Sequence, residues 1–204
     1  MCVIIVNKSG TLSDYILQNA ATTNPDGAGL MYYADEQLHS YRSMDSGKVI
    51  KKYLDARQRH PDSVMFLHFR IGTSGTKNRT NCHPFPVNRG ALLMHNGVLY
   101  DYSDHTSNLN DTRLFIQKVL SHVPENELFS DWLLPLVEKA ISGNKFVMLN
   151  DRGEWVILNE IMGRWEGENW FSNMNWVPRM TRTVPPDNTR YTFKGRRQYE
   201  CFNF

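Results

Sequence analysis

The N-terminal stretch Met1-Cys2-Val3-Ile4-Ile5-Val6 indicates both the fold and the chemistry of this chain. The apolar, β-branched residues 3–6 predict a fully buried strand. Cys2 is small enough for Met1 to be removed, and removal would leave Cys2 with a thiol and a free α-amine. Such an amine, whose ordinary pKa is near ~7.7–8, can take the thiol proton and so activate a nucleophile. The alternative is an inert buried cysteine that opens an ordinary strand.

The composition predicts one globular domain followed by a basic tail. The 204 residues are 41% hydrophobic and 22% charged with a net charge of +2, so the chain as a whole is neither disordered nor built to bind a polyanion. Residues 177–204 carry six basic residues against two acidic ones. We therefore predict a domain over residues 1–176 and a basic, aromatic C-terminal tail over residues 177–204. The tail could contact nucleic acid, but a docked tail or a protein contact is the simpler interpretation.

Cysteine usage and hydropathy predict a cytoplasmic protein with no membrane partner. Cys2, Cys82 and Cys201 are too few and too scattered for a disulfide framework, and no C-x-x-C pair suggests zinc. Polar residues interrupt the N-terminus before a signal peptide could form, and no apolar run reaches membrane-spanning length. The histidines at 68, 83, 95 and 105 match no known metal-ligand spacing. We predict no metal and no cofactor.

The order of elements predicts an α+β fold. Strands precede helices, further strands follow, and hairpin signals are frequent, which is typical of layered α+β domains and not of alternating α/β ones. Two sheets packed face to face and covered by helices would fit this order. The predicted strands cover about residues 2–7, 27–33, 36–42, 64–71, 91–94, 145–149, 155–159 and 164–171, and the predicted helices about 48–59, 110–119 and 132–141.

His68 and Arg70 form the first candidate polar group. Side chains alternate along a strand, so these two share one face. The planar guanidinium of Arg70 suits a carboxylate ligand. An internal ion pair beside a satisfied core histidine is an equally good interpretation.

Asn96-Gly97 and Asp111 are the next candidates. An Asn amide beside a Gly backbone N–H offers two donors to one point, as an oxyanion hole requires, although Asn-Gly is also the strongest short hairpin signal. Asp111 could bind a substrate ammonium group, but Asp is equally a common helix N-cap.

Cys82 is a rival nucleophile, because His68, His83 or His95 could activate it. Adjacent residues in an extended chain point apart, so Cys82 and His83 would not easily form a pair. A free buried cysteine is the better interpretation of Cys82.

Taken in order, six short motifs resemble the class II glutamine amidotransferase domain, an N-terminal-nucleophile (Ntn) hydrolase. Each motif is weak alone, and the likeness rests on all six occurring in the family's order over residues 2 to about 115. This sequence differs from the usual pattern at Val3, Gly72 and Asn110, where many members have Gly, Ala and Ser. The motifs are Met1-Cys2, Asn24-Pro25-Asp26-Gly27-Ala28-Gly29, His68-Phe69-Arg70-Ile71-Gly72-Thr73-Ser74-Gly75, Asn81-Cys82-His83-Pro84-Phe85, His95-Asn96-Gly97 and Asn110-Asp111-Thr112.

The resemblance implies a four-layer αββα sandwich of two mainly antiparallel sheets and a role for each matching residue. Cys2 would attack the glutamine side-chain amide, and Asn96 and Gly97 would hold the oxyanion. Arg70 would bind the α-carboxylate and Asp111 the α-ammonium group, while Thr73 and His83 would shape the pocket. These assignments make the chain a candidate glutamine hydrolase.

The resemblance also implies a partner. The chain ends soon after the resembling domain, so we expect the ammonia to pass to a separate acceptor synthase subunit. Two other functions stay open: an Ntn amidase acting on another γ-glutamyl or amide substrate, and a non-catalytic binding module that keeps the fold.

Overall fold

The computed structural model describes residues 2–72, 75–104 and 106–177. Within these residues the chain forms ten strands and four α-helices. The strands are β1 (Val3–Asn7), β2 (Ala28–Ala34), β3 (Gln37–Ser43), β4 (Met65–Phe69), β5 (Phe85–Pro86), β6 (Ala91–Asn96), β7 (Lys145–Asn150), β8 (Trp155–Leu158), β9 (Arg164–Glu166) and β10 (Asn169–Phe171). The helices are α1 (Asp14–Thr23), α2 (Ser46–Arg59), α3 (Asp111–Lys118) and α4 (Leu133–Ala140).

The described strands form two sheets in which neighbouring strands pair antiparallel. The first sheet has six strands in the order β3-β2-β4-β1-β10-β9, and the second has four in the order β5-β6-β7-β8. The N-terminal strand β1 therefore lies inside the first sheet, hydrogen-bonded to β4 on one side and β10 on the other. The predicted buried strand is confirmed, since all five β1 residues are buried.

Alternation along β1 divides its side chains between two cores. Val3 and Ile5 pack in one cluster with residues of α1 and α2, whereas Ile4 and Val6 pack in another with residues of the second sheet. Since successive strand side chains point to opposite faces, the first sheet has helices on one face and the second sheet on the other.

The outer face of the second sheet is covered by the remaining helices. A third cluster joins Leu93 of β6 and Phe146 of β7 to Phe115 of α3 and Val137 of α4. Three cores between four layers give the αββα sandwich, so the predicted fold class is confirmed.

The far end of β1 is fixed by a buried polar network. The hydroxyl of Tyr53 donates to Asn7 Oδ1 at 2.9 Å, and Arg57 donates to the Asn7 carbonyl at 3.1 Å. Arg57 also donates to the carbonyls of Pro61 and Ser63, so its buried charge is solvated by backbone oxygens. This network ties β1 to α2 at the end opposite Cys2.

Two local interpretations of the sequence were wrong. Helix α1 was not predicted, because only Leu17 and Ala20 of its ten residues are fully buried and the apolar period is weak. The hairpin alternative for Asn96-Gly97 also fails: β6 ends at Asn96, and the next strand in the chain, β7, begins only at Lys145.

The chain remains packed up to Trp176, whose ring stacks on Phe171 with centroids 4.9 Å apart. The predicted tail lies almost entirely outside the described residues, so the boundary at 176 stays a prediction. None of the described helices is long and apolar enough to cross a membrane.

Gly29 lies where the backbone before β5 crosses β2, so a larger residue at this position tests how closely the two segments pack. A Cβ at Gly29 would lie 1.7 Å from the His83 carbonyl oxygen. Because overpacking costs ~1–3 kcal/mol and sometimes more, Gly29→Ala is expected to lower the free energy of unfolding by about 3 kcal/mol or more. Urea titration measures this.

Gly10→Ala is the control. Its added Cβ meets open space at φ +64°, so only the left-handed backbone cost of roughly 1–2 kcal/mol applies. Equal losses in the two variants would contradict the close approach at Gly29.

Candidate active site

Strand register brings Cys2 beside Arg70 and Ile71. Val3 pairs with Phe69 across the β1–β4 ladder, so the residue before Val3 must lie next to the residues after Phe69. The Ile71 N–H donates to Cys2 Sγ at 3.4 Å, and the thiol is 3.4 Å from the Ile71 carbonyl oxygen. The first sheet thus fixes the thiol at the end of its two central strands.

The thiol at this position is a neutral group at rest. Burial raises the pKa of Cys2, and the Ile71 N–H and the positive charge of Arg70 offset this only partly. A buried neutral thiol is a poor nucleophile. Reaction at Cys2 therefore needs a base close to the sulfur.

A small cleft of about 20 Å³ collects most of the residues singled out in the sequence. It is lined by Cys2, Arg70, Ile71, His83, His95, Gly97, Asn110, Asp111 and Thr112. Asn96 adjoins it, since its side-chain amide donates to the Cys2 carbonyl oxygen. Thr73 lies outside the described residues.

Gly97 turns the chain away from β6 with a backbone that only glycine adopts easily. Its φ is +146°, and a Cβ there would lie 1.9 Å from Asn144 Oδ1. The Gly97 backbone is therefore free to line the cleft next to Asn96.

Asp111 is held at the first turn of α3. Asn110 is the N-cap, with its side chain accepting from the Arg113 N–H at 3.0 Å. The Asp111 carboxylate instead accepts from the N–H of Leu99 at 2.8 Å and of Thr112 at 2.9 Å. Asp111 is thus not the helix cap, and its carboxylate is fixed in the wall of the cleft.

Three buried histidines belong to this region: His83 and His95 line the cleft, and His68 packs on His83. Burial lowers the pKa of His68 to about 3, and burial also lowers the pKa of His83 and of His95. His95 Nε2 faces Asn144 Oδ1 at 2.9 Å and Nδ1 faces the Thr112 hydroxyl at 2.7 Å. Because an amide oxygen only accepts, the neutral His95 ring carries its proton on Nε2.

His83 presents unpaired ring nitrogens at this site. Its ring packs on those of His68 and Phe85, each with centroids 4.2 Å away. Neither ring nitrogen has a hydrogen-bond partner within the described part of the chain. A buried polar group of this kind is costly to leave unpaired, so His83 is suited to a polar ligand.

Cys82 lies apart from the cleft. Its sulfur lies 3.6 Å from Met44 Sδ and 3.8 Å from the Ser43 carbonyl oxygen, and burial raises its pKa. Among the described residues no group of three His, Cys, Asp or Glu side chains could hold a metal ion.

Sequence reasoning missed two residues that support Cys2 from the other side. Asn173 Nδ2 donates to the Cys2 carbonyl at 2.6 Å, and Ser172 Oγ accepts from the Ile4 N–H at 2.8 Å. Both follow β10, the second neighbour of β1. They could have been found only by predicting that β10 pairs with β1. The contacts involved join residues more than 160 positions apart in sequence.

Comparison with known proteins finds similarity in structure only. No family model and no curated protein matches the sequence. The matching solved structures include a glutamine phosphoribosylpyrophosphate (PRPP) amidotransferase from B. subtilis complexed with ADP and GMP, at 16% identity and a TM-score of 0.49, covering 84% of this chain and 41% of that chain. They also include a glutamine aminotransferase class-II domain protein from Silicibacter pomeroyi, at 16% identity and a TM-score of 0.45, covering 84% of this chain and 87% of that one.

This chain is similar to both proteins in structure. It spans less than half the length of the first. Its four-layer fold is established independently by its own two sheets and three cores.

The buried histidines predict an early loss of stability in acid. An unfolded histidine binds a proton below about pH 6.5, whereas these folded rings resist protonation, His68 down to a pKa of about 3. The unfolded state therefore binds more protons in this window, and the free energy of unfolding falls as pH decreases below about 6.5. Urea unfolding between pH about 7.5 and about 4.5 measures how the free energy of unfolding depends on pH, and each ring that stays neutral adds up to about one proton to that slope.

His68→Gln is expected to reduce that slope by up to about one proton. His122→Gln, at an exposed position, should leave the slope unchanged. The same slope in His68→Gln and in the parent protein would show that His68 is not buried as a neutral ring.

Proposed function

We propose that this chain is a class II glutamine amidotransferase. In this proposal it hydrolyses the side-chain amide of glutamine through a thioester on Cys2 and supplies the ammonia to a separate acceptor enzyme. The observation that carries the proposal is one cleft lined by a thiol, a guanidinium and a carboxylate, from Cys2, Arg70 and Asp111. Free glutamine carries an α-carboxylate for Arg70, an α-ammonium group for Asp111 and an amide for the thiol.

Cys2 acts through its own α-amine once Met1 has been removed. The neutral amine takes the thiol proton, and the sulfur attacks the amide carbon of glutamine. The tetrahedral intermediate then collapses, the C–N bond breaks, and the departing nitrogen takes the proton and leaves as ammonia. Water next attacks the γ-glutamyl thioester, which releases glutamate and restores the thiol.

Asn96 and Gly97 stabilise the oxyanion of this intermediate by donating hydrogen bonds to it. An Asn amide has two N–H donors, and one of those of Asn96 is directed to the Cys2 carbonyl oxygen. The second N–H and the Gly97 backbone N–H supply the pair of donors that an oxyanion hole needs. His83 and Thr73 complete the pocket in this proposal.

Glutamine must widen the cleft to bind. A volume of about 20 Å³ is room for about one water molecule. Side chains that line the cleft therefore move when the substrate enters, and part of the binding energy is spent on that movement.

Cys2→Ala is expected to abolish glutamine hydrolysis, because no other described thiol lines the cleft. Cys82→Ala should retain it, since that sulfur lies against Met44. Glutamate release by the purified proteins measures both. Intact-protein mass spectrometry should show loss of Met1 in the active parent, and equal activity in Cys2→Ala would refute the nucleophile.

Arg70→Gln tests the binding of the α-carboxylate. A hydrogen bond to a charged group contributes ~1.5–3 kcal/mol, which corresponds to a factor of roughly 10–100 in affinity. The parent should therefore prefer glutamine over glutamine α-amide by about that factor in kcat/KM, and Arg70→Gln should lose the preference. Arg152→Gln, an exposed residue paired with Glu154, is the matched control. A preference that survives in Arg70→Gln would exclude this role.

A further inference from the structure

A second and larger cleft is lined by Thr80 and Phe85, which precede and follow His83 in the sequence. It has a volume of about 550 Å³, within the range of roughly 300–1,000 Å³ that ligand pockets occupy. It is lined by residues of β3, of the chain around β5 and of α3, among them Arg42, Phe85 and Arg113. No role in the glutamine reaction uses this cleft.

Arginines dominate the charge of the cleft. Arg42 and Arg113 line it, and Arg79 lies beside Arg42, donating from Nε to the Arg42 carbonyl at 3.0 Å. Burial lowers the pKa of Arg42, and the positive charges of Arg79 and Arg113 lower it further. The guanidinium groups of Arg79 and Arg113 are therefore each close enough to that of Arg42 to repel it.

Within the described part of the chain, these arginine side chains have backbone carbonyls as their only polar partners. Arg42 donates to the Cys82 carbonyl at 3.3 Å and Arg113 to the Thr80 carbonyl at 3.3 Å. No carboxylate of the described residues forms an ion pair with any of the three. A cluster of like charges without a counter-ion favours an anionic ligand.

The rest of the wall is apolar. Pro86, Leu109 and Ile116 line the cleft with Phe85, and the Arg113 guanidinium lies 5.9 Å from the centre of the Phe85 ring. A ligand here would meet fixed positive charge on one side and an apolar surface on the other. That combination suits an anionic group attached to a larger, partly apolar body.

We propose that this cleft binds a phosphate monoester of nucleotide size. A phosphate monoester carries up to two negative charges and three acceptor oxygens, which matches several guanidinium groups better than the single charge of a carboxylate. The nucleoside or similar body would lie on the apolar wall. The proposal stands on the arginine cleft alone and is independent of glutamine hydrolysis.

Isothermal titration of the full-length protein with adenosine 5′-monophosphate, adenosine and inorganic phosphate tests the site. The monophosphate is expected to bind saturably with a millimolar or tighter dissociation constant, inorganic phosphate more weakly, and adenosine least. Arg42→Gln and Arg113→Gln should each weaken monophosphate binding by about 10–100-fold.

A substitution that adds charge at the surface tests the site with little risk of misfolding. Gln117 lines the cleft and is exposed, so Gln117→Glu adds one negative charge with almost no change in shape and should weaken binding by about 3–10-fold. Gln18→Glu, at an exposed position of α1 on the opposite outer layer, is the matched control and should bind as the parent does.

Three results would overturn the proposal. The first is a failure of the monophosphate to bind saturably. The second is equal affinity for the monophosphate and for adenosine. The third is an undiminished affinity for the monophosphate in Arg42→Gln, Arg113→Gln and Gln117→Glu. Equal affinity for inorganic phosphate and for the monophosphate would contradict the part of the proposal that places a nucleotide-sized body on the apolar wall. Each outcome is read from binding and not from catalysis, so failure here leaves the glutaminase proposal standing.

Discussion

The pairing of β1 with β4 and β10 builds the centre of the first sheet and positions Cys2. Its register fixes where Cys2 lies, because the ladder from Val3 to Asn7 against Phe69 to Met65 allows one position for the residue that precedes it. A slip by one residue would exchange the two cores that β1 separates. The buried network at Asn7 holds the other end, so the thiol is carried by a strand fixed along its whole length.

The polar side chains of the candidate site are buried inside the sandwich. His68, His83 and His95 are neutral because they are desolvated, and Cys2 is a neutral thiol for the same reason. Such groups cost stability unless they are paired, and His83 is unpaired in the described chain. A cost of this kind is expected at a binding site, where a ligand can supply the missing partner.

Much of this fold could be predicted from the sequence, and the reasons for the failures are physical. Continuous β-branched runs and Gly-containing turns located β1, β4, β6 and the β7–β8 hairpin, and the ordered motifs located the residues of the cleft. Helix α1 was missed because it buries few side chains. Asn173 and the arginine cleft were missed because they depend on contacts between distant segments, and Thr73 and the tail lie outside the described residues.

The proposed role of Cys2, freed of Met1, is that of the nucleophile toward glutamine. Its most direct test is to incubate the protein with a diazoketone analogue of glutamine, which alkylates a reactive thiol with loss of N₂, and to map the adduct by peptide mass spectrometry. One adduct is expected, on Cys2 of the chain lacking Met1, and excess glutamine should prevent its formation. An adduct on Cys82, or no adduct on a Cys2 whose Met1 is absent, would contradict it.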